Sequence, residues 1–211
     1  MLYLTGVDTI SNLAHYVRGG GTLYGTYMMG TVDENDLCYL GGIPGRELKD
    51  VFGITAEEID TLYPDECRQA GQEGHELVDY CETVKLCGAK TMVCYNDGYY
   101  KDTPAVTDNI YGDGRAIYQA CRDTGSLKEK VLSEILEELG VVSVVNVQAP
   151  LSHGVTAHSR TDGVHTYVFV ENYTNQEAPA VFLRQPMENL LTGETTDCCT
   201  LPPYGFGIFK K

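Results

Sequence analysis

The stretch SLKEKVLSEILEELG, Ser126 to Gly140, constrains this chain most, because it is where helical periodicity ends. Leu127, Val131, Leu132, Ile135, Leu136 and Leu139 recur at helical spacing, Ser126 stands where an N-cap belongs, and Gly140 supplies a stop. No helix-period run follows. Instead GVTAHSR and VHTYVFVENY flank a Thr161-Asp162-Gly163 turn, and LLTGE and YGFGIFKK read as further short strands. Charge divides at the same place. Of the 30 acidic and 15 basic side chains, six and four fall in residues 141–211, leaving 24 and 11 in residues 1–140. The expected organisation is a domain over 1–140 followed by a small all-β antiparallel domain over 141–211.

The first of these alternates helix and strand. DTISNLAHYVRGGG places Ile10, Leu13, Ala14 and Val17 at helical spacing before a glycine stop, and TLYGTYMM reads as a buried strand. RELKDVFG reads as a short helix beginning at Arg46. DYCETVKL, AKTMVCYN, PAVTDNIYG and GRAIYQAC are β-rich runs with turns at Asn96-Asp97-Gly98 and Gly112-Asp113-Gly114. This is an α/β texture. The opening MLYLTGVDT, however, runs from a strand end straight into a helix, whereas a doubly wound domain opens with a complete βα unit. The chain therefore reads as cut from something larger.

Composition removes several function classes. A formal net charge of -15 argues against nucleic acid and acidic membrane surfaces, both of which need clustered Lys and Arg. No apolar run approaches the roughly 18 residues of a membrane span, and the start lacks the charged flank and apolar core of a signal peptide, so the expectation is a soluble, cytoplasmic chain. Its eight cysteines then read as reduced thiols. None is spaced C-x2-C, and the five histidines are scattered, so no metal and no cofactor are expected. G-x-S-x-G, H-E-x-x-H and P-loop motifs are all missing.

One loop stands out. GTVDENDLCYLGGIPG, Gly30 to Gly45, concentrates Asp33, Glu34 and Asp36 ahead of a glycine-proline run. As a calcium loop it fails, because Leu37 occupies the third alternate position after Asp33 and Asn35 and no glycine follows in register. As a catalytic pair it also fails, since neighbouring acids on one loop diverge, whereas glycosidase carboxylates face each other across the substrate. A contact surface is what remains beside a merely solvated loop.

GGTLYGTYMMGTVDENDLCYLGGIPGRELKDVFGITAEEIDTLYP, Gly20 to Pro64, resembles the middle domain of the glycoside hydrolase family 42 β-galactosidases. There a GGTL strand leads to G-x-V-D-E-N-D and then G-G-x-P-G-x-L-x-D-V-x-G-I. TPAVTDNIYGDGRAIYQACR, LLTGE and LPPYGFGIF resemble later parts of the same family, in the same order and over nearly the whole chain. The resemblance implies an N-terminal catalytic (β/α)8 barrel in the full-length enzyme, a trimerisation domain related to glutamine amidotransferases, and a small C-terminal β domain. It implies for residues 1–140 a partial flavodoxin-like fold with a mainly parallel sheet, lacking its first βα unit.

A barrel needs about 250 residues. No catalytic glutamate carries over onto this chain, and alone it is predicted inactive. Amidotransferase chemistry would place a thiol on the turn after the TLYGTY strand, where this chain has Met28-Met29-Gly30 instead. The resemblance implies a non-catalytic assembly part of a retaining β-galactosidase, a homotrimer as its oligomer, and the barrel as its intramolecular partner. Asp33, Glu34, Asn35, Asp36, Leu37, Tyr39, Leu40 and Ile43 are its expected contact residues. The alternative is a self-standing carbohydrate-binding module using Tyr167, Tyr173 and Tyr204.

Overall fold

The structure is a computed structural model that describes residues 1–145 and 151–211. It divides into two compact units, Met1–Ser133 and Glu134–Lys211.

The first unit opens with α1 (Val7–Arg18), whose Ile10, Ala14 and Val17 are buried, followed by β1 (Thr22–Thr26). After the Gly30 to Gly45 loop comes α2 (Leu48–Phe52), which buries Leu48, Val51 and Phe52. Gly53 ends it at φ 61°, the left-handed geometry of a helix C-cap, returning its N–H to the Lys49 carbonyl. Then follow β2 (Ile54–Thr61), β3 (Arg68–Ala70), β4 (His75–Leu86), β5 (Lys90–Cys94), β6 (Pro104–Tyr111), β7 (Gly114–Gln119), β8 (Cys121–Asp123) and α3 (Ser126–Glu138), the last running across the division at Ser133.

These strands make two sheets. One runs β1-β7-β6-β5; in the other, β4 pairs with β2, β3 and β8. Residues from α1, α2 and β7 share one core, in which Ile10, Val17, Phe52 and Tyr118 are fully enclosed. The Phe52 and Tyr118 rings meet edge to face at 5.1 Å.

The expected mainly parallel sheet is not what forms. Among the named strands only β1 with β7 is parallel, from Thr22 opposite Arg115 to Thr26 opposite Gln119. The β7–β6 and β6–β5 ladders are antiparallel. The reason is connection length: a parallel neighbour requires a crossover of a dozen or more residues, and Gly112-Asp113 allows only a hairpin between β6 and β7.

The second unit is antiparallel throughout its named strands. β9 (Val155–Thr161), β10 (Thr166–Asn172), β11 (Ala178–Asn189), β12 (Thr195–Leu201) and β13 (Phe206–Lys210) form one sheet in the order β12-β11-β13-β10-β9. Val168, Val170, Leu183, Met187 and Phe209 fill its core. LLTGE, expected as a strand, is the turn between β11 and β12: the Asn189 side chain accepts the Leu191 N–H at 2.9 Å, and Gly193 N–H returns to the Asn189 carbonyl. An Asn followed two residues on by its own backbone partner favours a turn over extension.

α3 begins where its periodicity predicts, but Ser126 is not its cap. The Asp123 carboxylate takes the Gly125 N–H at 2.9 Å and the Lys128 N–H at 3.1 Å, releasing the Ser126 hydroxyl to bond the His75 ring at 2.9 Å.

Candidate functional site

The acidic loop is held from inside. Asp33 accepts the N–H groups of Asn35 (2.8 Å) and Leu37 (3.0 Å) on one carboxylate oxygen, and its own N–H donates to the Leu37 carbonyl. An Asp side chain mimicking a backbone turn in this way leaves its carboxylate engaged. Val32 pairs on one side with Leu4 and on the other with Cys38, which closes the turn. Tyr39 lies back across the loop, donating its hydroxyl to the Thr5 carbonyl, and its ring covers Gly45 so closely that a Cβ there would fall 2.2 Å from Cδ2. Burial, then the nearby charges of Glu34 and Asp33, hold the Tyr39 phenol above its ordinary pKa. Ile43 bridges Ala56, whose N–H donates to the Ile43 carbonyl at 2.7 Å.

The eight expected contact residues therefore divide. Asp33, Tyr39 and Ile43 are half-buried and hold the loop, while Glu34, Asn35, Asp36, Leu37 and Leu40 face outward. Leu40 is 99% exposed and Leu37 63%. The result is a braced turn that presents two leucines among acids.

The turn after β1 has a different character. Met28 adopts φ 57°, unusual for a residue with a side chain. Its N–H donates to Glu82 Oε1 at 2.8 Å. Glu82 is fully buried, and its carboxyl is pushed above the ordinary value by that burial, against the hydrogen bonds from Tyr118 and Met28. No thiol stands at this elbow, and Cys38 is exposed on the acidic loop. The sequence gives little sign of Glu82, a single acid inside a β-rich run.

A third cluster joins residues that no sequence motif links. A cleft of about 460 Å³ is lined by Glu73, His75, Met92, Cys94, Asn96 and Lys130, among others. His75 Nδ1 lies 2.9 Å from Ser126 Oγ and its Nε2 3.0 Å from Glu73, which also accepts from Lys130. Those hydrogen bonds from Lys130 and His75 hold the Glu73 carboxyl below its usual range. The connectivity is that of a nucleophile, base and orienting acid. An acyl-transfer centre also needs free donors for an oxyanion, and at the start of α3 the Gly125 and Lys128 N–H groups are already bound to Asp123. The cluster ties the β3–β4 turn to α3. Among the described residues no group of three or more His, Cys, Asp or Glu could hold a metal.

In the second unit Tyr173 and Tyr204 share one end of the sheet, where the Tyr204 N–H donates to the Thr174 carbonyl, and Tyr167 lies apart from them. Tyr167 donates to Asp162 before β10 begins, and Tyr173 donates to Glu171 at its far end. His158 stacks on Phe169 with ring centroids 5.3 Å apart, while His165 sits beside Asp162 at 3.4 Å. No described helix is long and apolar enough to cross a membrane.

Comparison with known proteins places this architecture. Residues 1–142 match the family model described as β-galactosidase trimerisation domain, and residues 154–211 match the β-galactosidase C-terminal domain. The chain is 36% identical over 197 residues to β-galactosidase GalA of Bacillus licheniformis, covering 92% of this chain and 29% of that protein. It is 36% identical over 223 residues to β-galactosidase BglY of Alicyclobacillus acidocaldarius, covering 100% and 32%. Among solved structures, Gan42B, a GH42 β-galactosidase from G. stearothermophilus, superposes with a TM-score of 0.86 at 36% identity over 100% of this chain and 31% of that one. The β-galactosidase from Bacillus circulans sp. alkalophilus gives 0.87 at 30% identity, over 100% and 32%. The chain thus spans about a third of the length of the relatives it matches. Through both domain matches and these whole-chain similarities, it belongs to the glycoside hydrolase family 42 β-galactosidases, of which it is a C-terminal portion.

Proposed function

We propose that this chain is the non-catalytic assembly portion of a β-galactosidase whose barrel hydrolyses terminal β-D-galactosides with retention. The observation that carries this is the match of residues 1–142 to a trimerisation domain. The domain boundary is taken near residue 140. The eight free thiols support a reducing, cytoplasmic setting. The parallel β1–β7 ladder beside α1, with its left-handed elbow at Met28, supports kinship to the amidotransferase fold.

In this reading the chain forms a homotrimer. A ring-closing contact uses two different patches on each protomer, and the Asp33 to Gly45 loop belongs to one of them. Leu37 and Leu40 supply apolar contact, Glu34, Asn35 and Asp36 the polar rim, and Asp33, Tyr39 and Ile43 the rigidity that lowers the cost of ordering the loop on association. A self-standing carbohydrate module is left with Tyr173 and Tyr204 at one end of β10, because the Tyr167 hydroxyl is bound to Asp162 at the other.

Light scattering across a dilution series tests the proposal. A concentration-dependent trimer weakened by Leu40→Glu is expected; a monomer at high concentration, unchanged by Leu40→Glu, overturns both the trimer and the role of the loop.

A further inference from the structure

Cys81 on β4 and Cys121 on β8 stand directly opposite each other in an antiparallel pair. The hydrogen bond beside them, from Glu82 N–H to the Ala120 carbonyl at 2.7 Å, joins the residue after one cysteine to the residue before the other. That arrangement defines a non-hydrogen-bonded pair, in which opposed Cα atoms approach to about 4.5 Å with side chains on the same face. A disulfide spans Cα separations of about 4.4–6.8 Å, a range that takes in the spacing of such a pair. The ladder is braced here as well: the Tyr95 hydroxyl lies 2.9 Å from both the Glu82 and the Ala120 carbonyl oxygens, linking the two strands beside the cysteines. Both cysteines are fully buried, and both are free thiols.

We infer that Cys81 and Cys121 are a covalent modification site, a cross-strand thiol pair that closes into a disulfide when a small two-electron oxidant such as hydrogen peroxide reaches it. One thiol attacks a peroxide oxygen, breaking the O–O bond and leaving a sulfenic acid and one water. The second sulfur then displaces the sulfenic hydroxyl, forming the S–S bond and releasing a second water. The two thiols lose two electrons and two protons; the peroxide takes up both. Burial keeps the thiols protonated and out of reach of bulky oxidants, pushing Cys81 up to about 11 and Cys121 in the same direction. Opening of the strand pair, or peroxide small enough to enter, is therefore needed. Closure would join β4 to the segment that carries Asp123, the cap of α3, across a loop of about 40 residues.

The test uses the full chain with the exposed Cys38, Cys67 and Cys87 replaced by serine, so that surface oxidation does not intrude. After peroxide treatment and alkylation, peptide mass spectrometry should find Cys81 linked to Cys121 as the main product. Melting temperature should rise by roughly 5–10 °C and return on reduction with dithiothreitol. Cys81→Ala and Cys121→Ala should each abolish the rise. The peptide map on the triple-serine chain stands even if a core alanine variant fails to fold. Recovery of both cysteines as alkylated monothiols, irreversible oxidation of either, or linkage of either to Cys94 overturns the inference.

Discussion

The Tyr118 hydroxyl donates a 2.7 Å hydrogen bond to Glu82 Oε2, and both side chains are fully buried. The other Glu82 oxygen holds the Met28 N–H, so one carboxyl group spans from a core tyrosine to the left-handed turn after β1. Glu82→Ala would strand both donors and should cost about 2–4 kcal/mol, read as a loss in denaturant midpoint. Glu82→Gln keeps an acceptor and removes the charge. Because burial raises the folded pKa, the stabilising contribution of Glu82 is fully present below its unfolded value and is lost as pH rises through the folded one. The melting temperature of Glu82→Gln should thus gain on the parent as pH rises from about 4, the unfolded carboxyl value, to neutrality. A constant difference across that range would show that the carboxyl does not titrate abnormally.

Asp123 has the opposite sign. Burial acts to raise its carboxyl, but the Lys128 N–H, the Gln119 amide and the Gly125 N–H outweigh it and hold the group below its ordinary value. Its contribution is present above the unfolded carboxylate range and disappears as pH falls through the folded pKa. Asp123→Ala should cost about 1–2 kcal/mol as a lost helix cap, whereas Ser126→Ala should lose less, since its hydroxyl bonds His75 rather than the helix backbone. Chemical denaturation of the two variants at neutral pH ranks them directly.

Gly45→Ala tests the bracing of the acidic loop. Its Cβ would collide with the Tyr39 ring at 2.2 Å, so the ring must swing out and give up its bond to Thr5. A loss of about 1–3 kcal/mol is expected from such overpacking, with faster amide exchange at Leu37 and Tyr39. Leu40→Ala, on a side chain that is 99% exposed, should leave the monomer's unfolding free energy within about half a kcal/mol of the parent.

Catalysis offers a fourth measurement. Retaining hydrolysis needs two carboxyl groups about 5 Å apart across the anomeric carbon. The family's pair is expected on the barrel, so the purified chain should not turn over a chromogenic β-galactoside. Turnover that vanished with a single Asp or Glu substitution would relocate the chemistry to this chain.

Local order was legible in the residues themselves. The spacing of Ile10, Ala14 and Val17 predicts α1, the run from Ser126 predicts α3, and Asp162-Gly163 predicts the β9–β10 hairpin, because helix period, glycine stops and tight turns are short-range physics. The family, too, could be read from ordered motifs alone. Three-dimensional contact decided the rest. Pairing of β1 with β7 joins residues far apart in the chain, and no periodicity encodes which partner or direction is chosen. The same is true of Tyr39 reaching the Thr5 carbonyl and of Glu82 reaching the Met28 N–H. Each depends on where a distant backbone group is left without a partner when the core closes, and a buried donor or acceptor takes whichever side chain the packed fold brings within reach.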